Sequence, residues 1–391
     1  MGIDPTERFI MNFGLTSEQK AMRDHVKQLL DQTCSMDYAA RCDEQGRPPR
    51  EAFKALADHG WLGLIAPEEY GGVNGSATDL AVLLEETGHH FEELGLWLFR
   101  SYTFGCYAIL KNGTEAQKKF FLPKTVSGEF TYAFALTEPD SGSDAAALRT
   151  KAEVDGDHFV INGRKQFISG FDIADYALVA LRTSQGAKKQ MGISTLLIDT
   201  RTPGIEAKRI PTLGQHSIGT TEVTFTDVRV PRTALLGELD HGWAICEDTL
   251  RYERLCLSAA RIGAARMAFE FALDYAKNRM QFGKPIGSFQ AIQHKFAEMK
   301  VMLDSAQTMV LRYAWLMEQG LAERGDTAVL KYLIGETYKT IADQCLQVLG
   351  GYGYCNEYPM QRFFRDSRLA TIGGGTSEIQ KNIIAGSLGL K

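Results

Sequence analysis

The sequence predicts an α+β fold in which helices and strands are segregated along the chain. Three observations predict it. Helical periodicity runs from Thr16 to about Gly128; a stretch from about Thr131 to Arg232 is rich in β-branched residues; helical periodicity returns from Gly242 onward. Blocks in that order build separate domains, whereas an α/β fold would alternate strand and helix. The boundaries fall at residues 11–130, 131–237 and 238–391. A chain of 391 residues, 44% hydrophobic, suffices for two or three cores. Residues 1–10 precede a second methionine, Met11, and read either as native chain or as a leader.

In the first block, "TSEQKAMRDHVKQLLDQ" places Met22, Val26, Leu29 and Leu30 on one helical face, with Thr16 or Ser17 as N-cap. "REAFKALADHGWLGL" repeats the pattern and stops at Gly60. "LAVLLEETGHHFEEL" and "FGCYAILKNGTEAQKKFFLP" add further helices. In the central block, "HFVINGRKQFISG" reads as strand, Asn-Gly turn, strand, the signal of a hairpin. "ADYALVALRT", "ISTLLIDT" and "TEVTFTDVRVP" read as further strands. In the third block, "ARIGAARMAFEFALDYAKNRMQFG", "FQAIQHKFAEMKVMLDSAQTMVLRYAWLMEQG" and "AVLKYLIGETYKTIADQCLQVLGGYGY" are long amphipathic runs.

Composition excludes several classes. A formal net charge of -5 argues against a nucleic-acid partner, which would call for a basic surface. No apolar run approaches a bilayer span, and no signal-peptide pattern opens the chain. Seven cysteines, odd in number and without a CxxC pair, read as free thiols filling cores in a reducing compartment. The eight histidines form no HxxxH, the pair His89 and His90 is expected to point apart on its helix, and no metal site is expected. GxSxG, Walker and Rossmann fingerprints are absent; "GGYGYC" follows a helix rather than a strand.

Two segments carry chemistry. "ALTEPDSGSDAAALRT" is dense in hydroxyls, turn formers and backbone N–H groups. "NRMQFGKPIGSFQAIQ" sets Arg279 at a helix end, where its fixed charge suits a phosphate. Taken alone, the first is equally a β-turn loop and the second an exposed ion-pairing arginine. Taken in order with "INGRKQFISG", "QVLGGYGYCNEYPMQRFFRD" and "GGTSEIQ", they make the chain resemble the acyl-CoA dehydrogenase family from Phe13 to Gly389.

That resemblance implies an N-terminal helical domain, a central β-barrel-like or sandwich domain and a C-terminal four-helix bundle. It implies FAD as cofactor, held between domains and across a subunit contact, commonly in a homotetramer or dimer of dimers. An acyl-CoA or acyl-carrier-protein substrate and an electron-transfer flavoprotein or similar acceptor are the implied partners. Cytoplasmic localisation follows, a processed mitochondrial form being the other option.

Position by position, the resemblance sets Leu136 and Thr137 against the flavin and Ser143 near phosphate or pantetheine. Phe167 and Ser169 match the tryptophan and threonine of the family's "WIT" stretch; Phe167 departs from it but keeps a ring. Arg279 and Phe282 meet the FAD of a neighbouring subunit, with Gln290 nearby. Gln347, Gly350, Gly351 and Gly353 approach the adenosine pyrophosphate, and Thr376 and Glu378 the other end of the cofactor.

The departure that matters lies in "IGGGTSEIQ". Most familiar members carry the catalytic glutamate where this chain has Gly374. Glu253, in "LRYERLCLSAARIG", matches the alternative position of the isovaleryl-CoA and long-chain acyl-CoA dehydrogenases, and is the candidate base. The other reading of Glu253 is a surface residue among Arg251 and Arg254. Gly374 retains the main-chain N–H that polarises the thioester carbonyl in the family. Tyr252 and Arg254 fall on the substrate side with Ser143. Arg100 lies in the acyl-pocket region, as a carboxylate anchor or as a surface ion pair.

The activity implied is α,β-dehydrogenation of an acyl thioester, with the α-proton going to Glu253 and the β-hydride to flavin N5. Three alternatives stand beside it. These are a dehydrogenase of acyl or aminoacyl groups on a carrier protein, a reductase of the crotonobetainyl-CoA type, and a flavin-bearing structural or electron-transfer partner.

Overall fold

The computed structural model describes residues 14–390, so the reading of residues 1–10 as a leader lies outside the described chain. Two compact units form, and neither is one continuous stretch. One takes the chain up to Ala40, Ser76–Leu96 and Arg254 onward; the other takes Arg41–Gly75 and Trp97–Glu253.

The N-terminal block supplies α1 (Ser17–Thr33), α2 (Met36–Gln45), α3 (Arg50–Asp58), α4 (Ala77–His90), α5 (Glu92–Arg100), α6 (Ala108–Asn112) and α7 (Glu115–Val126). Thr16 caps α1: its side chain accepts from the Gln19 N–H, and the Gln19 side chain returns to the Thr16 N–H. Such a capping box is typically worth about 1 kcal/mol. The α3 helix ends as expected at a left-handed Gly60 (φ 78°). Between α5 and α6, Ser101–Tyr107 forms a π-helical turn, a rare geometry that tends to mark functional sites.

The β block is β1 (Tyr132–Ala135), β2 (Lys151–Asp155), β3 (His158–Ser169), β4 (Tyr176–Arg182), β5 (Ile193–Asp199), β6 (Ile205–Ile210), β7 (Thr220–Pro231) and β8 (Leu235–Leu236). They pair in the order β6-β7-β3-β2-β4-β5-β8, with β1 parallel to β4, as one eight-stranded mixed sheet. Its core gathers Phe159, Ile161, Ile168, Val179, Leu196, Val223 and Phe225.

The expected Asn162-Gly163 hairpin is not there. β3 runs through both residues, and the turn falls instead at Gly156 (φ 57°), between β2 and β3. Opposite Asn162 the register against β7 shifts: Thr226 and Asp227 (φ 49°) of β7 face this one residue of β3, so the bulge lies on β7. Glycine is needed there for approach: a Cβ on Gly163 would lie 2.6 Å from the Thr150 methyl. The Asn162 amide meanwhile bonds Asp227, donating to its carboxylate and accepting from its N–H. The Asn-Gly pair therefore marks close packing against Thr150 and the partner of a bulge on β7, not a reversal of the chain.

The C-terminal block is α8 (Gly242–Asn278), a short ribbon of β9 (Met280–Gln281) and β10 (Lys284–Pro285), α9 (Gln290–Glu318), α10 (Arg324–Leu349), α11 (Met360–Ser367) and α12 (Ser377–Ser387). α10 packs against α9, α11 and α12. Six of the seven cysteines are buried, as core filler would be.

His89 and His90 do not point apart. Their ring centroids lie 5.4 Å from each other, and both rings approach the buried Glu86. Residues i+3 and i+4 share a helix face with residue i, so Glu86 draws both. With Glu86 they form a group of metal-ligand types. The outward contacts of this group are already made. His89 bonds Glu270, His90 bonds Asp31 and the Glu86 carbonyl, and Arg266 donates to Glu86 at 2.8 Å. The Arg266 cation is the counter-charge of this buried carboxylate, and the group reads as a polar helix–helix contact.

Candidate active site

The candidate residues fall in both units. In the second unit, the segment after β1 is fastened to β3 at three successive residues. Lys165, fully buried on β3, donates to the Leu136 carbonyl at 3.1 Å and to Glu138 at 2.8 Å. The Gln166 N–H donates to the Thr137 carbonyl at 2.8 Å. Glu138 also accepts from the N–H groups of Arg149 and Thr150 at 2.6 and 2.9 Å. Burial alone would raise its carboxyl. The Lys165 charge and these hydrogen bonds outweigh burial and hold it below the ordinary value.

Directly beyond this anchor, β3 shifts register between Lys165 and Ile168. Phe167 sits in the irregularity with φ 59° and 62% of its surface exposed. A left-handed aromatic residue held out of a sheet is strained, and strain of this kind concentrates at functional sites. The structure thus ties Leu136 and Thr137 to β3 directly before Phe167, with Ser169 two residues farther along the strand. Ser143 lies exposed on the same loop. Sequence reading missed Glu138 and Lys165. A signal existed: strict alternation along β3 from Phe159 through Ile161 puts Lys165 on the inward face.

Glu253, on α8, is buried at 9% exposure, which removes its reading as a surface residue. Tyr252 beside it stacks on Tyr107, with centroids 4.2 Å apart and planes 10° from parallel. Arg100, at the start of the π-helical turn, is also buried, so it is not a surface ion pair; its guanidinium lies 5.4 Å from the Phe99 ring.

In the first unit, a cleft of about 510 Å³ joins two of the sequence motifs: Arg279, Tyr352, Gly350 and Gly351 line it. The Arg279 guanidinium lies over the Tyr352 ring at 5.3 Å. Gly350 is left-handed (φ 61°), whereas Gly351 has ordinary φ and a Cβ there would meet nothing within 4 Å. The chain itself therefore does not require glycine at 351, and a bare backbone beside a cation suits the close approach of a phosphate. Phe282, at the tip of the β9–β10 ribbon, has φ 51° and is 92% exposed. Gln290 opens α9 and Gln347 lies near the end of α10, both exposed, while Gly353 is buried.

The glycine loop lies in the same unit. Gly374 and Gly375 are left-handed, with φ 68° and 90°. Thr376 caps α12 as anticipated, accepting from the Ile379 N–H at 3.3 Å, and Glu378 lies exposed in the first turn. Arg254 donates to the Gly374 carbonyl at 3.3 Å. Gln380 donates to the carbonyls of Gly374 and Gly375, at 3.3 and 3.0 Å. Among the described residues the Gly374 N–H has no acceptor.

The strained exposed aromatic of the second unit suits a planar ring, and the arginine-and-glycine cleft of the first unit suits a phosphate group. Comparison with known proteins agrees. Residues 16–129, 133–228 and 240–389 match the N-terminal, middle and C-terminal domains of acyl-CoA dehydrogenase. The probable acyl-CoA dehydrogenase YngJ of Bacillus subtilis is 38% identical over 97% of this chain and 100% of its own. The 3-(aryl)acrylate reductase of Clostridium sporogenes is 34% identical over 95% of this chain and 97% of its own. Butyryl-CoA dehydrogenase from Megasphaera elsdenii superposes with a TM-score of 0.92 at 32% identity, covering 97% and 100% of the two chains. The chain belongs to the acyl-CoA dehydrogenase family. It is an FAD-dependent oxidoreductase acting on CH–CH bonds. Among the described residues no helix is long and apolar enough to cross a membrane.

Proposed function

We propose that this chain dehydrogenates an acyl-CoA thioester, with Glu253 as the base and the Gly374 N–H as the donor to the thioester carbonyl. The observation that carries the reading is the bare loop. It has no side chain to serve as base, yet it keeps an N–H without an acceptor, while a carboxylate lies buried on α8.

In the reaction, Glu253 takes the α-proton as the Cα–H bond breaks. The Gly374 N–H meets the charge that develops on the carbonyl oxygen. Donors fixed in advance in this way are worth about 10²–10³ in rate. Bound FAD supplies the acceptor for the β-hydride. The double bond forms between the two carbons, and Glu253 later releases its proton. Leu136, Thr137, Phe167 and Ser169 hold the flavin side, and Arg279, Gly350 and Gly351 the pyrophosphate side. An electron-transfer flavoprotein is the proposed acceptor partner, and a homotetramer the proposed assembly, in which the exposed Phe282 reaches a second copy.

Turnover of a panel of saturated acyl-CoAs with an artificial electron acceptor tests the reading. Reduction of enoyl-CoAs without any oxidation of the saturated partners would favour the reductase direction instead, as the relationship to the arylacrylate enzyme allows. Arg279→Ala is expected to lower FAD retention on gel filtration several-fold and to weaken assembly with it, because a phosphate loses its fixed charge. Unchanged FAD content would remove Arg279 from the cofactor site.

A further inference from the structure

A loop of three glycines has no side chain to hold its peptide planes. If the Gly374 N–H is to point one way, something else must fix it. The backbone on the N-terminal side is tied, since the Gly373 N–H donates to the Leu369 carbonyl at 2.9 Å. On the C-terminal side the carbonyls of Gly374 and Gly375 are taken by Arg254 and Gln380, and the Gly375 carbonyl also by Lys331 of α10. The peptide carrying the Gly374 N–H is therefore bracketed.

Lys331 is the unexpected member. It is buried, at 2% exposure, in a region already holding the buried guanidinium groups of Arg254 and Arg261. Burial first, and then Arg261 and Arg254, push its ammonium down to about 7; Glu336 and Glu378 act the other way. An ammonium set where burial and two like charges oppose it is a poor device for stability. Its ammonium donates to the loop, at the Gly375 carbonyl. The Gly375 carbonyl does not need it for satisfaction, because Gln380 already donates there.

We propose that Lys331, together with Gln380, is a positioning residue for the thioester reaction: it fixes the glycine-loop carbonyls so that the Gly374 N–H stays aimed at the substrate carbonyl. The proposal rests on the reading of Gly374 given above. Lys331 does not itself touch the reacting atoms. It acts by denying the loop the peptide rotations that glycine otherwise permits.

Lys331→Met keeps the length and bulk of the side chain but donates nothing. In the FAD-loaded protein, kcat is expected to fall roughly 10- to 100-fold, since misaiming by about 1 Å can cost about 10². KM should stay within about threefold, and FAD content should be unchanged. The second readout is spectroscopic. Acetyl-CoA labelled with ¹³C at its carbonyl has no β-carbon, so it binds without being oxidised. Its carbonyl stretch should fall on binding to the wild type, and in Lys331→Met it should move back toward the free value. Gln380→Leu removes the companion donor and should produce the same two changes, so it decides the matter if Lys331→Met does not fold. A variant loaded with FAD that keeps kcat within about twofold and the wild-type stretch would overturn the positioning role while leaving the Gly374 reading intact. No shift of the stretch in the wild type would remove the Gly374 reading, and the positioning role with it.

Discussion

Glu253→Gln is expected to lower dehydrogenation by about 10²–10⁴ while leaving FAD content unchanged. Glutamine keeps the shape and hydrogen-bonding reach of glutamate and removes only its affinity for a proton. The buried setting of Glu253 makes the substitution clean, because little solvent is available to stand in as base. Gly374→Glu, made in that background, supplies a carboxylate from the glycine loop itself. Space permits it: a Cβ at Gly374 would come no closer than 3.6 Å, to Leu257. The backbone resists it, since φ is 68° and an L-residue there costs about 1–2 kcal/mol. Partial recovery with a lowered melting temperature is the expected result. Full activity in Glu253→Gln alone would show that the base lies elsewhere.

The helical blocks were legible because their signals are local. Thr16 and Thr376 announce their helices by spacing and capping chemistry that need no tertiary information. The same holds for Gly60, where a left-handed stop follows a periodic run. Asn162-Gly163 misled for a physical reason. The pair reports only that positive φ is cheap there, and whether a chain reverses or runs on depends on its neighbours; here Thr150 packs on Gly163 and β3 runs on. His89 and His90 misled because adjacency was weighed without Glu86, three and four residues earlier. The candidate site divides along the same line. Arg279, Gly350 and Gly351 carry motif signals, and the fold brings them to one cleft. Lys331 and Lys165 carry none: a lysine reads as surface until the strand alternation or the packing of a helix shows it buried.

Glu138→Gln is expected to be the most damaging substitution in the β block. It leaves Lys165 wholly buried without a counter-charge, and it turns an amide N–H₂ toward groups that only donate: the Lys165 ammonium and the N–H groups of Arg149 and Thr150. Breaking a buried pair from one side typically costs about 3–5 kcal/mol. Lys165→Met should cost less, because the carboxylate keeps its two backbone donors. The two variants therefore rank by which charge is stranded, not by the size of the side chain removed. FAD retention should follow the same order, since Leu136 and Thr137 are held by the same anchor. The pH dependence separates the variants further. Glu138 is held below its ordinary 4.5, so the pair contributes its full stability above that value and loses it as pH falls through the folded-state value. Wild type should show this acid step, and Glu138→Gln, having no carboxyl to protonate, should not. Unfolding profiles across pH 3–7, with bound flavin measured in parallel, test both points. An unchanged midpoint and full flavin content in Glu138→Gln would show that the loop is held by its backbone bonds alone.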